Sequence, residues 1–398
     1  MNKKIIIYVL TGVSLFLISV GGSYLAFKGI GPKSSPLVSP EASGKVTSKK
    51  PLVNPSLPKT EICPLNGALF TKAEKDVWTT RRPLAVMIEN SVDARPQSGL
   101  GSADIVYEAV AEGGITRFMG IFYCDAALSG NLMLAPVRSA RIYFVNLMSE
   151  YSALYNHVGG AGNCDDPNVD SRAKALCLID QANIKDLDQM GYAGAFKVCH
   201  RIDNRTGKSV AYEHTMACFL DSLYDKATEL EWTNVDEDGI AWNKNFISWK
   251  FLSPTDKVTG ASAKTISYAF WTTNASFNQS FNVAWEFDVT KNAYKRSNGG
   301  EVSIDLNTKE PLYFNTVVTQ MVKETFTGDL EQHMLYDVVG SGKAKVFMNG
   351  VVTDTTWSKL SRTSRTIYKD ATTGKEIKFL PGPMWISLVP STNTITYQ

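Results

Sequence analysis

Arg82-Pro83-Leu84-Ala85-Val86-Met87-Ile88-Glu89-Asn90 decides the reading of the fold. An uninterrupted apolar run that ends on two polar residues describes a strand buried on both faces and leaving into a polar loop. Working outward, residues 104–110 and 115–123 read as two more strands, and Glu112-Gly113-Gly114 between them reads as a hairpin turn. Residues 131–134, 139–150 and 152–158 follow as strand, helix and strand, the succession of a parallel crossover unit. Helices are expected again at 184–190 and 214–229, the second with Met216, Phe219, Leu220 and Leu223 at helical spacing. Residues 61–230 are therefore expected to form an α/β (or α+β) domain.

From residue 231 the pattern changes. Residues 265–271, 281–288, 293–296, 313–322, 344–348, 351–355, 376–379 and 385–389 are short and rich in β-branched and aromatic side chains, and read as strands. Asn349-Gly350 is the strongest hairpin signal in the chain, with Asn298-Gly299-Gly300 and Thr373-Gly374 as further turns. Residues 231–398 are expected to form a mostly antiparallel, β-rich domain. No fixed-period repeat is present, which argues against a propeller or solenoid.

Ahead of both, Lys3-Lys4 precede an uncharged stretch at 5–27, long enough to span a hydrocarbon core of about 30 Å. It is expected to be a single-pass membrane anchor within residues 1–28, an N-terminal transmembrane helix that holds the bulk of the chain outside the cytoplasm. Residues 29–60 carry Pro32, Pro36, Pro40, Pro51, Pro55 and Pro58 among Ser, Lys and Thr and read as an extended spacer with no core of its own. The six cysteines, Cys63, Cys124, Cys164, Cys177, Cys199 and Cys218, permit disulfides outside the cytoplasm. Cys164/Cys177 and Cys199/Cys218 would close short loops, but fifteen full pairings are open, and buried free thiols are the competing reading. The net charge of +2 over 398 residues leaves no bulk positive field for nucleic-acid binding, and none is expected.

The densest constellation of chemistry is Ala135-Pro136-Val137-Arg138-Ser139-Ala140-Arg141, set where a strand should end and a helix begin. Helix-start amides and two guanidinium groups there would form an anion cradle. The next strand ends at Asn156-His157-Val158-Gly159-Gly160, which would bring His157 to the same crevice at the carboxyl ends of parallel strands. Asn90, Arg95 and Gln97 follow the first strand in a polar loop of the kind that binds ligands. Glu108, Glu112 and Arg117 come next, and Arg201 and His214 add further cationic groups. The competing reading pairs the arginines with Glu89, Glu108 or Glu112 and makes His157 a core histidine. Metal binding by His157, His200 and His214 with Asp165 or Asp166 lacks ligand spacing, and neither metal nor cofactor is expected. Ser139 beside His157 would suit a nucleophile on paper, but a helix cap is the simpler role. Asp337-Val338-Val339-Gly340-Ser341-Gly342-Lys343 has no following helix and reads as a turn rather than a phosphate loop.

Cys63-Pro64-Leu65-Asn66-Gly67, the 82–90 run, Ala94-Arg95-Pro96-Gln97-Ser98-Gly99-Leu100, Val137-Arg138-Ser139-Ala140-Arg141, His157-Val158-Gly159-Gly160 and Leu380-Pro381-Gly382-Pro383-Met384-Trp385 together resemble the YerB-like bacterial lipoproteins. The resemblance runs over nearly all of residues 63–390, and the family is one of unknown function with an N-terminal and a C-terminal region. It implies an extracytoplasmic, membrane-attached protein that associates with cell-wall synthesis machinery, and no established enzyme activity. Two departures stand out: no cysteine between Met1 and Lys28 is available for a lipid, and Tyr212-Glu213-His214-Thr215 replaces a Pro-His-Asn run.

The expected function is thus that of an envelope binding or accessory protein. Arg138, Ser139, Arg141 and His157, with Asn90, Arg95, Gln97, Glu108, Arg117 and Arg201, would hold an anionic wall component, glycan or partner protein. The alternative is a hydrolase of a glycan or phosphoester, with His157, Glu108 or His214 as acid or base and the arginines stabilising charge. A third reading makes the polar cluster an internal network of ion pairs.

Overall fold

A computed structural model of the chain describes residues 57–190, 198–271 and 276–398. The expected membrane span and most of the spacer lie outside these, and no helix among the described residues is long and apolar enough to cross a membrane.

The elements that position the site are strands β1 (Leu84–Glu89), β2 (Ile105–Glu112), β3 (Ile115–Phe122), helix α1 (Ile142–Met148), β4 (Leu154–His157), β5 (Asp186–Asp188) and helix α2 (Leu220–Glu229). From the second region come β6 (Val283–Asp288), β7 (Ala293–Asn298), β8 (Thr316–Val322), β9 (Gly340–Met348), β10 (Val351–Lys359) and β11 (Met384–Pro390). Every residue of β1 is buried, as its unbroken apolar run requires. β2 and β3 form the expected antiparallel hairpin across Gly113-Gly114, both at positive φ.

The change of sequence pattern at residue 231 is not a break in the fold. One sheet runs, in spatial order, β10, β9, β8, β11, β2, β3, β1, β4, β5. The seam is β11, near the C-terminus, which lies parallel to β8 on one side and to β2 on the other, from Met384 beside Ile105 to Ser387 beside Glu108. The second region is otherwise antiparallel where β6, β7, β9 and β10 pair. Alternation along β2 sends Tyr107 to one face, where it meets Glu150 and Tyr151, and Glu108 to the other. That second face is covered by the sheet containing β6 and β7, whose Trp285 lies 5.5 Å from Trp385, itself 5.1 Å from Phe118 and 5.0 Å from Phe314. These large edge-on aromatic contacts weld the two sheets into one core.

Several expectations are corrected. The strand expected at 131–134 is reduced to Met133–Leu134 and pairs antiparallel with Met216–Phe219 in a separate small sheet. The parallel neighbours of β4 are β5 and β1, the latter with Leu84, Ala85 and Val86 beside Leu154, Tyr155 and Asn156. Residues 184–190 hold strand β5, because Asp186-Leu187-Asp188 alternates with a period of two and buries Leu187 between its acids. The 214–229 helix begins only at Leu220, its first apolar residues having gone into a strand. All six cysteines are paired, as Cys63–Cys124, Cys164–Cys177 and Cys199–Cys218.

Candidate functional site

β1 and β4 part company at their carboxyl ends. After Val86 beside Asn156 the ladder between them stops, and residues 137–140 wedge in. The Arg138 amide donates to the Met87 carbonyl at 3.0 Å, the Val158 amide to the Arg138 carbonyl at 3.1 Å, and the Ala140 amide to the Gly159 carbonyl at 2.9 Å. The wedge carries Arg138, Ser139 and Arg141 to the crevice expected for them. It does not leave them unpaired there.

Arg141 caps α1, which starts at Ile142, and no side-chain hydrogen bond caps that helix. Its Nε pairs with Glu112 and its Nη1 donates to the Ala140 carbonyl at 2.6 Å. Arg117 reaches the same carboxylate with Nη2 at 3.3 Å, and its Nη1 donates to the Ser139 carbonyl at 2.8 Å. Burial alone would raise the Glu112 carboxyl, but Arg141 and Arg117 outweigh it and hold the group at about 2. Arg141 rather than Ser139 stands at the start of α1, and the Ser139 carbonyl is an acceptor for Arg117.

Glu108 and Glu112 share a parity along β2, yet they face opposite ways. The register with β3 shifts between Val110 and Glu112, so Glu112 joins Arg117 while Glu108 joins Thr116 on the other face. Glu108 has no exposed surface and accepts from Arg296 Nη2 with both oxygens at 2.9 and 3.0 Å, from Thr116 Oγ1 at 3.0 Å and from Trp385 Nε1 at 3.0 Å. It is an anchor between the two regions, and as placed it has no route to an external substrate.

His157 is likewise sealed. Its Nδ1 donates to the Gly159 carbonyl at 2.8 Å and its Nε2 lies 2.7 Å from Asp186. Burial works against the charged ring, but Asp186 and Asp188 prevail and raise its pKa. The β5 residues that hold it fall in the segment expected to be helical, which is why the sequence did not disclose them. Arg138, Arg141 and His157 thus do not share one open cleft with uncompensated charge.

The Asn90, Arg95 and Gln97 group is also a closed network. Asn90 Nδ2 donates to Thr116 Oγ1 at 2.6 Å and to Asn298 Oδ1 at 2.8 Å, Arg95 Nε and Gln97 Nε2 donate to Asn90 Oδ1, and Arg95 Nη1 donates to the Ser280 carbonyl at 2.9 Å. A polar loop that the sequence offered for ligand binding is spent on joining the two regions.

What the structure does bring together at the crevice mouth is Arg138, Glu89, His214 and Arg201. Glu89, which ends β1, accepts from His214 Nδ1 at 2.8 Å and lies 3.4 Å from Arg138 Nε. Arg138 Nη1 donates to the Glu213 carbonyl at 3.1 Å, and more than a quarter of its side chain is exposed, 27% against 9% for Arg141. Arg201 stacks on the exposed Tyr212 ring at 3.5 Å and donates to the Tyr212 carbonyl at 2.5 Å. Its own backbone hydrogen bond, and then the neighbouring His214, Arg138 and Arg201, lower the carboxyl of exposed Glu213.

Models of the N-terminal and C-terminal domains of a protein of unknown function, DUF3048, match residues 70–232 and 273–386. The chain belongs to the DUF3048 family. A DUF3048 relative from Bacillus subtilis (strain 168), named "Putative lipoprotein YerB", is 28% identical over 340 residues, covering 84% of this chain and 88% of the relative. The crystal structure of the YerB protein from Bacillus subtilis matches the fold with a TM-score of 0.65 at 26% identity, over 85% of this chain and all of that one. Strands of both matched segments lie in one sheet, where β11, at the end of the second match, pairs with β2 of the first.

Sequence reasoning treated Glu89 only as a competing partner for arginines. A carboxylate that ends a wholly buried strand must be compensated, and that signal was available. It missed Arg296 as the partner of Glu108. In Ala293-Tyr294-Lys295-Arg296-Ser297-Asn298 the buried parity set by Tyr294 includes Arg296 and Asn298, so this too was readable in principle.

Proposed function

We propose that the chain is a membrane-attached, extracytoplasmic binding protein of the cell envelope, attached through residues 5–27 and acting without catalysis of its own. The complete pairing of all six cysteines carries the extracytoplasmic reading, since such bonds persist in oxidising compartments. The name of the DUF3048 relative, which describes a lipoprotein, supports membrane attachment, while the present chain offers an apolar stretch in place of a lipid-bearing cysteine. Contact with an anionic group on an envelope partner is made at the rim of Arg138 and Arg201. Arg138 keeps part of its side chain exposed at the crevice mouth, and stacked Tyr212 offers an aromatic surface beside Arg201. The hydrolase alternative has no support in the placement of His157 and Glu108, both wholly buried.

The test uses full-length protein produced in a bacterium. Maleimide is expected to label none of the cysteines before reduction and all six after it, and externally added protease is expected to digest the folded region in spheroplasts. Free thiols, or protection of the folded region until the membrane is opened, would overturn the reading. For the rim, binding of citrate should weaken on Arg138→Glu and be unchanged on Arg172→Glu, whose side chain is exposed and pairs with Asp170. Equal binding by both variants would remove the rim from the proposal.

A further inference from the structure

β8 and β9 are antiparallel partners from Thr316 beside Met348 to Gln320 beside Ala344, where their ladder stops although both strands continue. Alternation identifies the groups left over. Asn349 and Gly350, both at positive φ, make the two-residue turn that closes the β9–β10 hairpin, so Met348 and Val351 form a hydrogen-bonded pair. Every second residue back along β9, through Val346, Ala344 and Gly342, then turns its N–H and C=O toward β10. The residues between them face β8. Phe347 and Lys345 meet Val317 and Thr319. Next in line, Lys343 and Ser341 would meet Met321 and Lys323.

Those partners are already engaged. The Met321 carbonyl accepts from Trp357 Nε1 at 2.9 Å, and the Lys323 carbonyl accepts from the Asp337 amide at 3.1 Å. The chain over 338–343 is bowed away from β8, and the opening is a cavity of about 570 Å³ whose walls include Lys323, Asp337, Ser341, Lys343, Trp357 and Ser391. Gly342 is required by packing, because a Cβ there would come within 2.6 Å of the Trp357 indole nitrogen. Gly340 is not: a Cβ on it would meet nothing within 4 Å. The two strands thus part at the cavity while β9 keeps unbroken register with β10 as far as Gly340 beside Lys359.

We propose that this cavity binds a small hydroxylated anion, a sugar bearing one phosphate or carboxylate. The inward main chain of Ser341 and Lys343 presents donors and acceptors together, with the Ser341 and Ser391 hydroxyls beside them, and ligand hydroxyls need both. Lys323 and Lys343 oppose the single carboxylate of Asp337, which lies 3.9 Å from Lys323 with both side chains largely exposed, so the wall carries an excess of positive charge. The volume falls within the range of about 300–1,000 Å³ common to small-molecule sites. The site shares no residue with the Arg138 rim and stands or falls without it.

Full-length protein is titrated calorimetrically with glucose 6-phosphate, glucuronic acid, glucose and inorganic phosphate, and amide hydrogen exchange is followed over 338–345. The sugar phosphate, the sugar acid or both should bind and protect the Ser341 and Lys343 amides, with glucose and free phosphate each at least about tenfold weaker. The stronger of the first two identifies the anionic group. Lys343→Ala should weaken that binding by about tenfold or more and Lys343→Arg should restore most of it, with Arg172→Ala unchanged. Absence of binding by both anionic sugars, binding without protection of 338–345, or indifference to Lys343→Ala would each overturn the assignment.

Discussion

Glu108 and Arg296, 188 positions apart in the chain, form an ion pair closed to solvent in which one guanidinium nitrogen, Nη2, donates to both carboxylate oxygens. Arg296 also lies over the Trp385 ring at 4.6 Å, so the pair is packed among the aromatics that join the two sheets. Removing one partner leaves an uncompensated charge in the core, whereas replacing both with apolar groups does not. Glu108→Gln and Arg296→Met should each destabilise the fold by about 3–5 kcal/mol, and the Glu108→Leu/Arg296→Met double variant should recover much of that loss. Urea unfolding followed by tryptophan fluorescence measures this. Because β11 belongs to the ladders of both regions, the transition should be single.

Arg141 and Arg138 should separate sharply on truncation. Arg141 is buried on Glu112, so Arg141→Ala should cost about 3 kcal/mol or more. Arg138 keeps about a quarter of its side chain exposed and lies 3.4 Å from Glu89, and Arg138→Ala should cost about 1 kcal/mol or less. Equal losses in a denaturant titration would mean that both arginines serve the fold.

The Cys63–Cys124 bridge closes the longest loop, 61 residues against 13 for Cys164–Cys177 and 19 for Cys199–Cys218. On loop entropy its removal should cost about 4 kcal/mol, and each of the others about 3 kcal/mol. Paired Cys→Ser variants compared by unfolding midpoints check the ranking.

Mildly acidic conditions should favour the fold over mildly alkaline ones. Burial pushes Asp104 up to about 7, against the pull of hydrogen bonds from the Asp125, Cys124 and Tyr123 amides. A carboxyl raised above its unfolded value of 3.8 contributes stability that is complete below that value and is lost as pH rises through the folded one. His157, raised from 6.5, acts in the same sense at higher pH, and Glu112, lowered to about 2, acts oppositely below 4.5. Stability should therefore fall from about pH 5 to about pH 8, and the fall should shrink in Asp104→Asn and in His157→Gln. Urea midpoints at the two pH values measure it, and a wild-type profile rising over that interval would contradict the assignment.

The strands at 84–89, 105–112 and 115–122, the Gly113-Gly114 and Asn349-Gly350 turns and the family resemblance were all legible from residue order, whereas the cysteine pairing was left open. Each depends on local periodicity, local turn chemistry or a motif, and such signals need no knowledge of distant chain. Where the local pattern was short the reading erred. Three residues, Asp186-Leu187-Asp188, were absorbed into a helix, and Met216 to Phe219 satisfy either period over one turn.

The amino-acid order by itself determined which charged and aromatic groups the molecule has, where its strands turn and which cysteines could close small loops. Only the tertiary structure decided which of those charges remain available. The bulge after Val110 sends Glu112 to Arg141 and Arg117, β5 supplies the acids for His157, and β7 brings Arg296 to Glu108. Coulomb attraction and desolvation depend on distance and burial in space, and a register shift of one residue is enough to exchange a charge's partner.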